Sequence, residues 1–349
     1  MLAIVALLVA ACGGGGDDAD TPDAGLPGGD AAVGDGGLPP GCDVAEADDV
    51  GNATTAEATG LSLGATAITI CGKVNAREPD GDGVVDVDRY AFTVASAGGF
   101  VVRLASAGGG NLAELSSEVF DGAGRFGHGL YVGNHLVYVT RLDAGDFTVD
   151  VVARHGARPA ADVGYRLSVT PADLDQRCTQ VTTGPVYTEA YDGVASTGND
   201  VIEVRWSSMP ARALTADTDD APEPTNIVVS AAMTYRLIGV IGADTDPDDE
   251  YLDRDTYQLL TGGQANELDV RLTWPVGGAD LDVLLFPAAG DGAPIEIADA
   301  ALISTTGPEL LTTAVLPSTP YWLWIGAYDA STGLPVAYEA TVCGSAVTP

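Results

Sequence analysis

The chain has 349 residues, enough for two domains that each bury a core. Aromatic residues make up 6% of it, so the core is expected to rest on Val, Leu, Ile and Ala with few large rings. The formal net charge is −35, with a single lysine at Lys73, and such a chain repels polyanions, which excludes nucleic acid and anionic lipid surfaces as direct electrostatic partners.

The chain opens on Leu2 to Ala11, wholly apolar and ending in small residues. Ten residues are too few to span a bilayer and fit the apolar region of a secretory signal. Val9-Ala10-Ala11-Cys12 resembles the bacterial lipobox. That resemblance implies cleavage after residue 11 and a lipid on Cys12. It also implies an exported protein held in the bacterial cell envelope, at the outer membrane or cell surface, touching the membrane through that lipid alone. Several acyl chains on one residue give a stable anchor where one is marginal. Residues 12–41 are rich in Gly, Asp, Ala and Pro and nearly free of bulky apolar side chains. They are expected to form a disordered tether reaching roughly 30 Å.

Beyond the tether the sequence repeats itself. Val84–Gly99 parallels Glu250–Gly263, with Asp86, Asp88 and Tyr90 falling on Asp253, Asp255 and Tyr257. Val101–Leu104 falls on Asp269–Leu272, Gly108–Leu112 on Gly277–Leu281, Asp146–Ala153 on Pro320–Ala327, and Gly164–Thr170 on Ala337–Cys343. The matches keep their order, alternate with period two and are separated by Gly, Pro and Asp turns. They predict an all-β chain of two tandem antiparallel β-sandwiches, jelly-roll-like, over residues 42–173 and 174–349. The boundary is expected near Pro171–Asp175. Tyr187–Pro247 shows no obvious counterpart and is expected to be an insertion in the second sandwich.

Removing Cys12 leaves Cys42, Cys71, Cys178 and Cys343, an even number that suggests disulfides in an exported chain. Three pairings are open; the favoured one joins Cys42 to Cys71 and Cys178 to Cys343. The second bond would tie the two ends of the second sandwich. Zinc is the alternative use of these thiols, but no CxxC pair is present.

The Asp-x-Asp-x-Tyr strand entries, the small-residue turns after them (Ala97-Gly98-Gly99 and Gly262-Gly263), Asp280-Leu281-Asp282 and the closing aromatic strands resemble the bacterial pre-peptidase C-terminal (PPC) domain family. The first repeat departs from the pattern, with Asn111-Leu112-Ala113 at the Asp-Leu-Asp element. The resemblance covers about two-thirds of the chain. It implies non-catalytic β-sandwiches of the kind appended to secreted peptidases, some of which bind calcium or extracellular polymers.

Three sets of residues could carry chemistry. Asp80, Asp82, Asp86 and Asp88, and in the second repeat Asp244, Asp246, Asp248, Asp253 and Asp255, offer the clustered carboxylates that calcium needs. Neither run fits an EF-hand, and a solvated acidic turn is the alternative. In Tyr321–Tyr328, the repeat puts Trp322, Trp324 and Tyr328 on the outer strand face, opposite Thr148 and Asp150 of the first copy. They are expected either to form a platform for a sugar or protein, or to be covered. Catalytic motifs are missing: the three histidines, His128, His135 and His155, form no HExxH, and GxSxG is absent. The expected function is therefore a non-catalytic envelope lipoprotein, a binding or structural module stabilised by Ca2+, with an extracellular protein or polysaccharide as partner. The alternatives are a carbohydrate-binding or peptidase-accessory module and a hydrolase built from dispersed carboxylates.

Overall fold

Alternation of buried and open positions runs through the strands, as in β4 (Val87–Val94), where Asp88, Tyr90, Phe92 and Val94 point inward. A computed structural model describes residues 40–345, apart from 47–55, 65, 77–85, 121–124, 131–134, 154–157, 179–181, 190–222, 232, 243–253, 266, 276–278, 289–295, 298–307 and 328–332. The signal segment, Cys12 and nearly all of the expected tether lie outside these residues.

The other strands of the first half are β1 (Val44–Ala45), β2 (Glu57–Leu63), β3 (Ile68–Val74), β5 (Gly98–Gly109), β6 (Leu115–Phe120), β7 (Arg125–Leu130), β8 (His135–Leu142), β9 (Gly145–Ala153) and β10 (Val163–Ala172). They form two five-stranded sheets, β1-β3-β10-β5-β8 and β2-β4-β9-β6-β7, which enclose one apolar core. The second half repeats the plan with β11 (Thr182–Thr188), β12 (Glu223–Val229), β13 (Met233–Ile241), β14 (Arg254–Thr261), β15 (Glu267–Thr273), β16 (Leu281–Pro287), β17 (Glu296–Ile297), β18 (Glu309–Ala314), β19 (Pro320–Ala327) and β20 (Val336–Ser345). Its sheets, β11-β13-β20-β15-β18 and β12-β14-β19-β16-β17, have the same order with every label raised by ten, around a second core.

Most pairs are antiparallel, as the patterning predicts. At one edge of each sheet the pairs β1–β3, β2–β4, β11–β13 and β12–β14 are parallel, so the sheets are mixed. Local detail is duplicated too. In β2 the Thr59 hydroxyl donates to Ala91 O and accepts from Leu61 N at a register shift. In β12 Thr225 does the same with Gln258 O and Ile227 N. The residue after each threonine has a left-handed φ, Gly60 at 67° and Asn226 at 56°.

One expectation is corrected. The segment Tyr187–Pro247 is not wholly an insertion: it carries β12 and β13, the counterparts of β2 and β3. Those strands share burial and pairing with their partners but few residue identities, so a motif-anchored alignment passes over them.

The sandwiches meet through the outer faces of β5 and β8 on one side and β15 and β18 on the other. Val101, Val137, Val139, Leu174, Leu310 and Ala314 form a third buried apolar cluster there. Leu174, in a 3-10 turn at Leu174–Gln176, sits over Gly99, where a Cβ would come within 2.4 Å of Leu174 Cγ. Around the cluster, Arg103 Nε and Nη2 donate to both oxygens of Glu267, at 3.0 and 3.1 Å. Arg177 pairs with Asp269 at 2.7 Å, and Asp175 receives Arg141 at 2.9 Å and Arg271 at 3.2 Å. Those two guanidiniums hold the Asp175 carboxyl below its usual range.

Both disulfides are present: Cys42–Cys71 ties the chain before β1 into β3, and Cys178–Cys343 ties the entry of the second sandwich to β20.

Candidate functional site

Each sandwich buries a carboxylate–tyrosine cluster at the same place. In the first, β4 supplies Asp88 and Tyr90, two apart and therefore on one strand face. β10 supplies Tyr165 from the opposite sheet, and Glu46 follows β1. The Tyr165 hydroxyl donates to Asp88 Oδ2 at 2.6 Å, so its oxygen accepts from Tyr90, also at 2.6 Å. Lys73 N donates to Glu46 Oε2 at 2.8 Å, which holds that carboxylate beside the pair. Gly72 leaves the room: a Cβ there would lie 2.4 Å from Tyr165 Oη and 2.5 Å from Tyr90 Oη.

The second sandwich repeats this with Asp255, Tyr257, Tyr338, Glu189 and Gly239. Tyr257 and Tyr338 hydroxyls hydrogen-bond, and Tyr338 donates to Asp255 Oδ2. Val240 N donates to Glu189 Oε2 at 2.9 Å. A Cβ on Gly239 would collide with the Tyr338 hydroxyl and approach Glu189. Glu223 joins this copy, accepting from Tyr187 Oη at 2.5 Å.

The electrostatics of such a cluster are unfavourable for bare anions. Asp88 is fully buried, and its Oδ1 receives no hydrogen bond among the described residues. Burial, then repulsion from Glu46 and Asp86, raises its carboxyl well above the usual range. Burial and Asp88 push the Tyr90 and Tyr165 phenols up as well, and Tyr257 and Tyr338 follow beside Asp255. Two carboxylates in hydrogen-bonding reach, such as Asp88 and Glu46, share either a proton or a cation.

The expected calcium residues divide accordingly. Asp86, Asp88 and Asp255 lie at or next to the clusters; Asp86 Oδ2 accepts from Asn75 N at 2.6 Å. Asp80, Asp82, Asp244, Asp246, Asp248 and Asp253 lie outside the described residues. Reading the Asp-x-Asp motif alone misses Glu46 and Glu189. Their signal is the pairing of Ala45-Glu46 with Thr188-Glu189, followed in each copy by a glycine in the next strand of that sheet, Gly72 and Gly239.

The aromatic platform is revised. Trp324 is buried at 4% exposure, and its neighbours Thr256 and Leu284 are fully buried. Its equivalent Asp150 is buried as well, gripped by Arg89 in a two-point ion pair at 2.8 and 2.6 Å. An outward position is therefore not an open one here. Trp322 is half-buried, and Tyr328 lies outside the described residues.

Other reactive groups have structural roles. Cys178, Cys343 and Asp269 lie close enough together to hold a metal, but the two thiols are spent in the disulfide. His135 Nε2 lies 4.0 Å from Glu267 Oε1 at the interface, while His155 and the side chain of His128 are outside the described residues. Burial, reinforced by Asp280, pushes the Asp282 carboxyl up to about 7.

No protein-family model matches the chain, and no curated protein matches it. Among solved structures, the PPC domain of a collagenase from Bacillus anthracis is similar at 24% identity, over 33% of this chain and 96% of that one, with a TM-score of 0.24. A periplasmic inhibitor of g-type lysozyme from Aeromonas hydrophila is similar at 17% identity, over 32% of this chain and 95% of that one, with a TM-score of 0.22. The CUB1-EGF-CUB2 segment of rat MASP-1 is similar at 11% identity, over 82% of this chain and all of that one, with a TM-score of 0.20.

Proposed function

We propose that this chain is a non-catalytic binding and structural module of the bacterial cell envelope, with PPC-like sandwiches, each stabilised by a calcium ion. The observation that carries the metal reading is the duplicated cluster. Half-buried Glu46 stands beside buried Asp88 and Asp86, whose mutual repulsion opposes folding, and the second copy sets buried Glu189 and Asp255 at the equivalent places. A divalent cation would remove that repulsion and use the orphaned Asp88 Oδ1. The donor set is all oxygen, which suits calcium rather than zinc. The tyrosine hydroxyls hold the carboxylates in place. The envelope location rests on the lipobox-like Val9–Cys12, with Cys12 as the lipidated residue.

Thermal melts of the full chain in calcium and in EDTA test the metal. Calcium is expected to raise the midpoint, and Asp88→Asn and Asp255→Asn are each expected to remove one equivalent of bound calcium in a titration. Identical midpoints in calcium and EDTA would remove calcium from the proposal.

A further inference from the structure

The duplication allows the outer face of the sheet β12-β14-β19-β16-β17 to be compared with its counterpart position by position. By register, Asn226, Val228, Gln258, Leu260, Pro320 and Trp322 stand where the first sandwich has Gly60, Ser62, Ala91, Thr93, Asp146 and Thr148. The first set is an ordinary solvated surface, on which the Thr93 hydroxyl donates to Asp146. The second is not. Val228 and Leu260 lie side by side on adjacent strands, 44% and 40% exposed. Gln258 is exposed directly across from Trp322, and Asn226 is exposed on the edge strand. On the far flank of Trp322, Phe286 is buried and bounds the face at β16.

We propose that this face binds a neutral polysaccharide, with a sugar ring stacked on Trp322 and its hydroxyls hydrogen-bonded by the amides of Gln258 and Asn226. A pyranose has an apolar C–H face and a rim of hydroxyls. An indole matches the first, and a primary amide, donor and acceptor together, matches the second. None of the six positions carries a charge, in a chain whose net charge is −35. An anionic glycan would be repelled by the whole molecule, and a cationic partner would find no carboxylate at these positions. From Asn226 to Trp322 the face crosses two strand spacings, roughly 10 Å, enough for more than one ring. Val228, Leu260 and Pro320 extend it along the strands. The proposal rests on the reading of the chain as a non-catalytic binding module and is independent of calcium.

The test uses the full chain with insoluble cellulose, chitin and xylan in sedimentation, and with a soluble neutral β-glucan and anionic alginate in affinity electrophoresis. Each assay is run with and without EDTA, beside thermal melts. The chain is expected to be retained by at least one neutral polysaccharide, and Trp322→Ala to weaken retention at least about tenfold. Gln258→Ala and Asn226→Gly are expected to weaken it several-fold with unchanged midpoints. Both positions are exposed, and glycine occupies the equivalent of Asn226 in the first sandwich, so these variants decide the matter even if Trp322→Ala unfolds. Retention by no neutral polysaccharide, retention unaltered in the variants, or preference for alginate would overturn it. Loss of retention only in EDTA, together with unfolding, would trace to the calcium sites and overturn the claimed independence.

Discussion

Asp282 stands on the outer face of β16, in register with Gly326 of β19, where desolvation first and Asp280 second push its carboxyl up to about 7. In the unfolded chain it would titrate near the ordinary value of about 3.9. Between those two values the folded protein keeps a proton that the unfolded chain has released. Raising the pH through that window therefore lowers stability, and outside it the two states are protonated alike. Asp282→Asn is expected to abolish this slope: in denaturant titrations between about pH 4 and about pH 8, the parent should lose stability relative to the variant. Parallel profiles would show that Asp282 ionises normally. The same strand face marks how far single residues were legible. The repeat placed Trp322 and Trp324 outward, and the structure agrees. It could not tell that Trp324 is covered, because burial depends on what lies across the sheet, and local alternation carries no information about that. Asp150 misleads for the same reason, since an aspartate reads as solvated until its Arg89 partner is seen.

At the scale of elements, the strands with inner aromatic residues were the legible ones. β4, β9 and β10 and their counterparts β14, β19 and β20 carry identifiable residues at matching positions, with clear alternation in β4 and β10. β12 and β13 were missed because a strand needs only apolar residues at alternate positions, and many sequences satisfy that. The cysteines were legible for a different reason: with Cys12 set aside, four remain, and four allow only three pairings. The two bonds should differ in strength. Cys42–Cys71 closes 29 residues and Cys178–Cys343 closes 165. On the chain-entropy account, the longer loop stabilises by about 1.5 kcal/mol more. Replacing both cysteines of a pair by serine and measuring unfolding in denaturant should give about 3–5 kcal/mol of loss for each bond, larger for Cys178–Cys343. The reverse order would mean that local strain or residual structure in the unfolded chain outweighs loop length.

For the whole molecule, the arrangement of the two repeats matters more than their number. Arg103 pairs with Val137 across β5–β8, and Arg271 pairs with Leu310 across β15–β18, so these are equivalent positions. Val137 and Leu310 share the buried cluster between the sandwiches, while Arg103 and Arg271 both reach acids across or beside it. Matching strands face matching strands, the pattern of an isologous dimer joined into one chain. This interface joins two sandwiches that each hold a carboxylate–tyrosine cluster of their own. Its weakest point is Glu267, whose side chain is fully buried between Arg103 and Arg177. Glu267→Ala would leave Arg103 without its two-point acceptor at a half-closed interface. Breaking one partner of a buried pair costs about 3–5 kcal/mol, far more than the pair itself contributes. The parent is expected to melt in a single cooperative transition, and Glu267→Ala to separate it into two as the sandwiches uncouple. Each should keep its own disulfide and core. Calorimetry checks this directly: two transitions in the parent, or one unshifted transition in the variant, would mean that the interface does not hold the halves together.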